Sequence, residues 1–301
     1  MSSMKKIYLI CNLHSGKTIT SFPLAKITDM FTKADFEVTV RPTQCRGDAA
    51  KSAKYACESG FDMIVCCGGD GTLNEVISGC ITASKPLPIG YIPNGSTNDF
   101  ARSLGIPKNA IEAAEAIING KAQKCDIGKI GERYFTYIAA FGAFTEVSYQ
   151  TAQPVKNILG HAAYILNGMA SLHKIKASRM NIKYDGKVIE DEFIYGMITN
   201  STSVAKLLSM PDMKKDDGLF EVTLIRKPRN IVDLQHIITG LTNFQLGAEK
   251  EYFDHFRASE LCITCLEDEP VPWTVDGEFG GKDTVNLIQN LQKALDFILL
   301  V

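Results

Sequence analysis

Three glycines and one carboxylate directly follow an apolar run, an arrangement that suits the binding of an anion. Residues 63–67 are continuously apolar, as in a strand buried on both faces, and residues 68–72 read Gly-Gly-Asp-Gly-Thr. Thr72 and Glu75 have the spacing of a capping box, which predicts that Thr72 opens a helix. Unpaired main-chain N–H groups and the positive end of a helix therefore meet at a glycine turn, where a phosphate can bind.

Asp70 lies among these glycines, where a bare carboxylate would repel a phosphate. The turn has no lysine, so it is not a Walker A loop, and its glycine spacing is not that of a dinucleotide-binding fold. A carboxylate is useful here if a divalent cation bridges it to phosphates, or if it accepts the proton of an attacking hydroxyl. The alternative is that Asp70 only hydrogen-bonds its own turn, as aspartate often does.

Two other short segments carry similar side chains. Residues 95–99 read Gly-Ser-Thr-Asn-Asp at a predicted helix start, and residues 276–278 read Asp-Gly-Glu. Helix capping alone would favour the first segment, and a tight turn would account for the second. If their carboxylates converge with Asp70, a cation is required, because neighbouring carboxylates otherwise raise one another's pKa.

Together these segments resemble the diacylglycerol kinase catalytic family, which includes sphingosine kinases and the soluble bacterial lipid kinases. The resemblance extends to Asn-Leu-His-Ser-Gly at 12–16, where Leu13 replaces a usual proline, and Ser96 replaces a usual threonine in the second segment. It implies that Asp276, Glu278 and Asp70 are catalytic, with either Asp276 or Glu278 as the proton acceptor. The implied nucleotide contacts are Asn12, Leu13, His14, Ser15, Gly16, Thr43, Gly68, Gly69, Asp70, Gly71, Thr72, Leu73, Asn74, Ser96 and Asn98.

The resemblance also implies two magnesium sites. Asp70, Asp99 and Glu278 would hold a catalytic Mg²⁺, and Lys214, Asp217 and Leu219 would hold a structural one. Residues 213–219 alone could equally be a charged, solvated turn before a strand.

The implied reaction is transfer of the γ-phosphoryl group of ATP to the hydroxyl of a lipid alcohol. Diacylglycerol is the expected acceptor, and phosphatidic acid is the expected product. A sphingoid base, another lipid alcohol or a soluble small molecule stays open as the acceptor, and so does a nucleotide-binding regulator without catalysis. The presence of all four carboxylates (Asp70, Asp99, Asp276 and Glu278) weighs against the regulator.

The elements that position these residues fall into two patterns. Residues 1–124 alternate strands with amphipathic helices, which predicts a three-layer α/β/α domain around a parallel sheet, with the loops of interest at the carboxyl ends of its strands. Residues 125–288 show alternating polarity and the hairpin signal Asp185-Gly186, which predict an antiparallel β-sandwich with helices at 158–172 and 231–241. The resemblance assigns ATP to the first domain and the lipid to the second, as in a NAD-kinase-like or diacylglycerol-kinase-like fold, and predicts that residues 289–301 return to the first.

Composition excludes several classes of protein. The 301 residues are 45% hydrophobic and 22% charged, as in ordinary globular proteins, and a net charge of −2 without a dense basic block excludes a dedicated nucleic-acid binder. Nine scattered cysteines and the absence of a signal-like start indicate a reducing cytoplasm. No apolar stretch approaches the ~20 residues that span a bilayer, so we expect peripheral membrane contact during turnover. A homodimer is left open.

Overall fold

The computed structural model describes residues 4–13, 23–96, 98–142, 163, 175–200, 216–243 and 251–300. They divide into two compact units, one of residues Met1–Ile127 with Lys293–Val301 and one of Gly128–Gln292. The helix expected at 158–172 lies outside the described residues apart from Ala163.

The first unit is built around a parallel sheet, which confirms the α/β prediction. Its strands and helices alternate as β1 (Lys5–Cys11), α1 (Leu24–Lys33), β2 (Phe36–Pro42), α2 (Asp48–Glu58), β3 (Met63–Gly68), α3 (Asp70–Ile81), β4 (Ile89–Pro93), α4 (Asp99–Ser103) and α5 (Ala110–Asn119). The strands pair in the order β4-β3-β1-β2, all parallel. Strands β3 and β4 are buried along their whole length, as continuous apolar runs require in a sheet covered on both faces.

Helices of the first unit are placed by their apolar faces. Helix α1 buries Ile27 and Phe31, which are four residues apart and therefore lie on one face. Helix α5 buries Ala114 and Ile117 in the same core and begins at Asn109, whose side chain accepts from the N–H groups of the first turn. The residue periodicity thus decides which side of each helix meets the sheet.

The second unit is antiparallel. Its described elements are β5 (Lys121–Ile130, which begins in the first unit), β6 (Arg133–Phe135), β7 (Ile138–Gly142), β8 (Ser178–Tyr184), β9 (Lys187–Thr199), β10 (Phe220–Arg226), α6 (Ile231–Asn243), β11 (Phe253–Ala258), β12 (Glu260–Cys265), β13 (Trp273–Val275), β14 (Glu278–Gly281) and β15 (Val285–Leu299). The strand order is β14-β13-β7-β9-β8-β12-β15, and β10 pairs with β9 and β11. Asp185 and Gly186 have φ of 45° and 72°, so the predicted type I′ hairpin between β8 and β9 is confirmed.

Strand β15 continues across the boundary predicted between the sandwich, residues 125–288, and the returning segment, residues 289–301. It runs to Leu299, pairs with β12 at 285–289, and reaches β4 through Phe297 opposite Ile89. Its central residues are polar and only partly buried, so the alternation that marks a strand is lost there. Residues from Lys293 onward belong to the first unit, where Phe297 is buried against Phe100 with ring centroids 4.9 Å apart.

No helix in the described ranges has the length and apolar character needed to cross a membrane.

Candidate active site

The loops that the sequence singled out lie side by side at the carboxyl ends of the parallel strands. The Asn12 N–H donates to the Cys67 carbonyl at 2.8 Å, and the Asn94 N–H donates to the Gly68 carbonyl at 2.8 Å. The Thr43 N–H, beyond the end of β2, donates to the Cys11 carbonyl at 2.9 Å. The ends of all four parallel strands thus form one edge, as expected for the ligand side of such a sheet.

The predicted capping box at Thr72 and Glu75 is wrong. Helix α3 begins at Asp70, with Gly69 as its N-cap and no side-chain cap. Thr72 Oγ1 instead accepts from Asn12 Nδ2 at 3.1 Å, and the Glu75 carboxylate accepts from the N–H groups of Gly47 and Ala49 at 2.8 and 3.2 Å. Partners from other elements replace the local pair, so Glu75 stabilises the start of α2 rather than that of α3.

Gly69 and Gly95 must both be glycine because their main chains touch. A Cβ atom on Gly95 would stand 2.6 Å from the Gly69 Cα atom, and one on Gly69 would stand 3.2 Å from the Gly95 Cα atom. Any side chain at position 95 would force the two loops apart. The two glycine-containing segments are therefore one structural unit, which brings residues 68–74 and 94–99 to the same place.

Asp70 and Asp99 are brought together at this edge. The Asp99 N–H donates to Asp70 Oδ2 at 3.2 Å, while the other oxygen, Asp70 Oδ1, is buried and has no hydrogen-bond partner among the described residues. The Asp99 carboxylate pairs with Arg102 at 3.1 Å on its solvent side. Both aspartates stand in the first turn of a helix, α3 and α4 respectively.

Both carboxyl groups are held in unfavourable surroundings for a negative charge. Burial raises the pKa of Asp70, although main-chain hydrogen bonds from residues 98–100 act in the opposite direction. Burial, together with the charge of Asp70, raises the pKa of Asp99 to about 6, against the opposing effect of Arg102. A pair of buried carboxylates with raised pKa values is typical of a functional site, because nothing in the packing benefits from it.

The chemistry of this pair fits a divalent cation. An unpartnered carboxylate oxygen with a second carboxylate nearby is a donor set that Mg²⁺ uses when phosphate oxygens and water complete its shell. Within the described ranges, no three His, Cys, Asp or Glu side chains are gathered so as to hold a metal by themselves. The pair therefore fits a cation that arrives with a nucleotide.

The remaining predicted nucleotide residues differ in exposure. Gly71 and Ser96 are exposed, Leu13 and Asn74 are half-buried, and Leu73 is buried, where it contributes packing. Asn98 is a buried turn residue with φ of 52°; its side chain accepts from the Gly95 N–H at 3.0 Å and donates to the Gly95 carbonyl at 2.8 Å. His14, Ser15 and Gly16 lie outside the described residues.

Tyr91 is a residue of this edge that the sequence reasoning missed. Its hydroxyl donates to the Gly68 carbonyl at 3.2 Å and lies 3.3 Å from Asn98 Oδ1, so it holds the two loops together from inside the sheet. A signal was available, because a tyrosine within a fully buried strand needs a partner for its hydroxyl.

Asp276, in the second unit, is a heavily hydrogen-bonded turn residue. Its Oδ1 accepts from the Tyr137 and Ile138 N–H groups, both at 3.0 Å, and its Oδ2 accepts from the Thr136 N–H and hydroxyl at 2.8 and 3.2 Å. Its φ is 47°, a value that aspartate tolerates better than most residues. Glu278, two residues on, begins β14 and is exposed.

The structure describes two of the three residues predicted to hold a structural magnesium, Asp217 and Leu219. The Asp217 carboxylate accepts from the Leu219 N–H at 3.1 Å and forms an ion pair with Arg257. Arg257 also pairs with the buried Glu221 at 2.9 Å. The guanidinium supplies positive charge beside Asp217, and Lys214 lies outside the described residues, so the magnesium site stays a prediction.

Two family models match this chain. Residues 6–130 match the diacylglycerol kinase catalytic domain, and residues 140–298 match the YegS C-terminal NAD kinase beta sandwich-like domain. A diacylglycerol kinase of Staphylococcus carnosus is 36% identical over 97% of this chain and 94% of its own length. One from Bacillus subtilis is 34% identical, covering 96% of this chain and 95% of its own length.

Solved structures give the same result for the fold. A crystal structure of a diacylglycerol kinase from Bacillus anthracis aligns with a TM-score of 0.74 at 24% identity, covering 99% of this chain and 98% of that one. A second structure from the same organism aligns with a TM-score of 0.78 at 26% identity, covering 99% and 96% of the two chains. Sequence and fold together show that this chain belongs to the diacylglycerol kinase family and is a phosphotransferase that joins a kinase catalytic domain to a β-sandwich domain.

Proposed function

We propose that this chain is an ATP- and Mg²⁺-dependent lipid kinase that phosphorylates the hydroxyl of diacylglycerol to give phosphatidic acid. The observation that carries the proposal is the Asp70–Asp99 pair with its unpartnered buried oxygen, next to a glycine turn at a helix start. The names of the relatives supply the lipid, and the family supplies ATP as the phosphoryl donor.

The edge formed by the ends of the parallel strands, with its glycine turn at residues 68–72, would hold the phosphates of ATP. The N–H groups of the first turn of α3 are unsatisfied within the helix, and they lie where the predicted contacts from Gly68 to Asn74 gather. Asn12, tied to Thr72, and Thr43, tied to β1, would complete the nucleotide side, with Asn98 keeping Gly95 in place. Placing ATP in this unit and the lipid in the other is part of the proposal.

Magnesium, when bound, would neutralise phosphate charge, and Asp70 and Asp99 are the described residues that would hold it. In the transfer itself, the acceptor hydroxyl oxygen bonds to the γ-phosphorus while the bond to the β–γ bridging oxygen breaks. The hydroxyl proton passes to a carboxylate of the enzyme, and ADP and a phosphorylated lipid remain.

Between the two candidates for that carboxylate, we assign the proton to Glu278. Four donors already occupy the lone-pair positions of Asp276, so a fifth proton would have to displace one of them. Glu278 is exposed and leads out of the turn that Asp276 fixes. Asp276 would then position Glu278. We further predict that Glu278 meets Asp70 and Asp99 during the reaction, although Glu278 belongs to the other unit.

The test is transfer of labelled phosphate from ATP to lipid alcohols in detergent micelles. Dioleoylglycerol should be phosphorylated in a magnesium-dependent manner, and Asp70→Asn and Glu278→Gln should abolish the reaction. Glu115→Gln is the matched control, because Glu115 is an exposed carboxylate on α5. Preferred transfer to sphingosine or to glycerol would mean that the acceptor is a sphingoid base or a soluble alcohol rather than diacylglycerol. No transfer to any alcohol would favour a nucleotide-binding regulator.

A further inference from the structure

Cys57 and Cys80 form a thiol pair between two helices of the first unit. Cys57 lies in the last turn of α2 and Cys80 in the last turn of α3, and their sulfur atoms are hydrogen-bonded at 3.9 Å. An S–S bond is about 2.05 Å long, so the two sulfurs need to approach by only about 2 Å to form one.

The two helices are packed tightly enough to keep the sulfurs together. A Cβ atom on Gly79 would stand 2.2 Å from the Ala50 carbonyl oxygen and 2.9 Å from the Ala53 Cβ atom. Ala50, Ala53 and Cys57 share one face of α2, so the contact that begins at Gly79 continues to the sulfur pair. At the other end of α2, the Glu75 carboxylate of α3 binds the first N–H groups, so the helix pair is held at both ends.

The two thiols differ in the way that a reactive pair requires. Cys57 is partly exposed, whereas Cys80 is buried. The hydrogen bond from Cys80 lowers the pKa of Cys57 to about 7, although burial opposes the change. The same hydrogen bond, together with burial, raises the pKa of Cys80. Cys57, which is the more exposed and the more acidic of the two thiols, is therefore the better nucleophile, and Cys80 is the resolving thiol beside it.

We propose that Cys57 and Cys80 are an oxidation-sensitive pair that hydrogen peroxide converts to a disulfide. The Cys57 thiolate attacks one peroxide oxygen, the O–O bond breaks, and a sulfenic acid and a first water are formed. The Cys80 sulfur then displaces the hydroxyl group from the Cys57 sulfur as a second water, and the S–S bond forms. Two thiols and one peroxide thus give one disulfide and two waters, and a dithiol reductant reverses the change.

The product would enclose the glycine turn in a covalent ring. The two cysteines are 23 residues apart in sequence, and the segment between them contains β3 and Asp70. Oxidation would therefore restrict the main chain of the first unit around Asp70 without modifying any residue that is assigned to the active site.

The experiment treats the reduced, full-length protein with hydrogen peroxide, blocks remaining thiols with N-ethylmaleimide, and maps peptides by mass without reduction. Wild type should give a linked Cys57–Cys80 peptide that dithiothreitol removes, and the oxidised protein should unfold at a higher temperature until reductant is added. Cys45→Ser is the matched control, because Cys45 is an exposed cysteine of the same unit, and it should give the same linked peptide.

Two variants separate the roles. Cys57→Ser should give no linked peptide, and Cys80→Ala should leave a Cys57 sulfenic acid that dimedone traps. Oxidation of Cys57 should be at least ten times faster than that of Cys45 in wild type. If Cys45 is oxidised while Cys57 stays reduced, or if Cys57 links to a cysteine other than Cys80, the proposal is overturned.

Discussion

The Asp99 main-chain N–H donates to the Asp70 carboxylate at 3.2 Å, so one carboxylate joins the starts of α3 and α4. The bond places two acidic side chains in each other's field inside a partly buried edge. Two consequences can be measured. One is the pH dependence of the free energy of unfolding, and the other is the effect of each carboxylate on that free energy when no ligand is bound.

The contribution of Asp99 to the free energy of unfolding of the metal-free protein should fall as the pH rises from 4 to 7. The pKa of Asp99 is about 6 in the folded protein against 3.8 for an ordinary aspartate, so the folded state holds the proton more tightly. Its stabilising effect is complete below pH 4 and is lost as the pH passes 6. Because the side chain is 19% exposed, we expect a change on the order of 2 kcal/mol.

Denaturant unfolding of wild type and Asp99→Asn at several pH values checks this. The difference between the two proteins should vary with pH between 4 and 7 and be constant above. A difference that does not change with pH would contradict the assignment of a raised pKa to Asp99.

Asp70→Asn should abolish activity without reducing stability. Asparagine keeps a carbonyl oxygen that can accept from the Asp99 N–H, and the other oxygen of Asp70 is buried without a partner among the described residues. Removal of the charge also relieves Asp99. We expect activity to fall at least about 100-fold, with an unfolding free energy at pH 7.5 equal to wild type or about 1 kcal/mol higher. Asp29→Asn is the control, because Asp29 forms an exposed ion pair with Lys33 on α1, and it should change neither activity nor stability. Loss of several kcal/mol in Asp70→Asn would mean that the residue is structural.

Asp276→Ala and Glu278→Ala should differ in stability although both reduce activity. Removing the Asp276 carboxylate leaves three main-chain N–H groups of residues 136–138 without their acceptor, which should cost about 2–4 kcal/mol. Even Asp276→Asn should be harmful, because its amide NH₂ must face one of those donors. Glu278 is exposed, so its truncation should change stability by no more than about 0.5 kcal/mol. Equal destabilisation by both variants would refute this division of roles.

Arg257→Met should destabilise the second unit more than Asp217→Asn does. Arg257 pairs with Asp217 and also with Glu221, whose side chain is only 5% exposed, so its loss leaves Glu221 with His255 Nε2 at 3.2 Å as its remaining partner among these contacts. We expect a cost of about 2–4 kcal/mol, and magnesium should restore part of it only in this variant. In wild type, EDTA should leave the unfolding temperature unchanged; a large decrease would show that a metal binds despite the guanidinium.

The sequence predicted the elements with regular patterns well. Strands β3 and β4 are continuous apolar runs, and the Asp185-Gly186 turn has its own dipeptide signal, so each could be identified locally. Glu75 was misassigned because its partners, Gly47 and Ala49, lie on another helix. Asp276 also has distant partners, which the sequence did not reveal, because its four hydrogen bonds come from residues about 140 positions away.

Short strands were missed for a related reason. Strand β6 has three residues, and β14 has four, too few to establish an alternation. Their positions depend on pairing with β5 and β13, which only the folded chain supplies. Thus the sequence indicated that the glycine turn and the acidic residues could bind phosphate and metal. Partners that are distant in sequence decide which of the carboxylates are hydrogen-bonded and which are exposed.

Strand β15 supplies β4 with a neighbouring strand only late in the synthesis of the chain. The segment from Lys293 is synthesised only after all of Gly128–Gln292, and until then the side of β4 that faces Phe297 lacks this neighbour. A nascent chain that stops before this segment would carry an open sheet margin, the kind of surface on which growing polypeptides associate with one another. Production of the first unit by itself would therefore require joining residues 293–299 back to it, and a simple truncation after Ile127 should accumulate as aggregates.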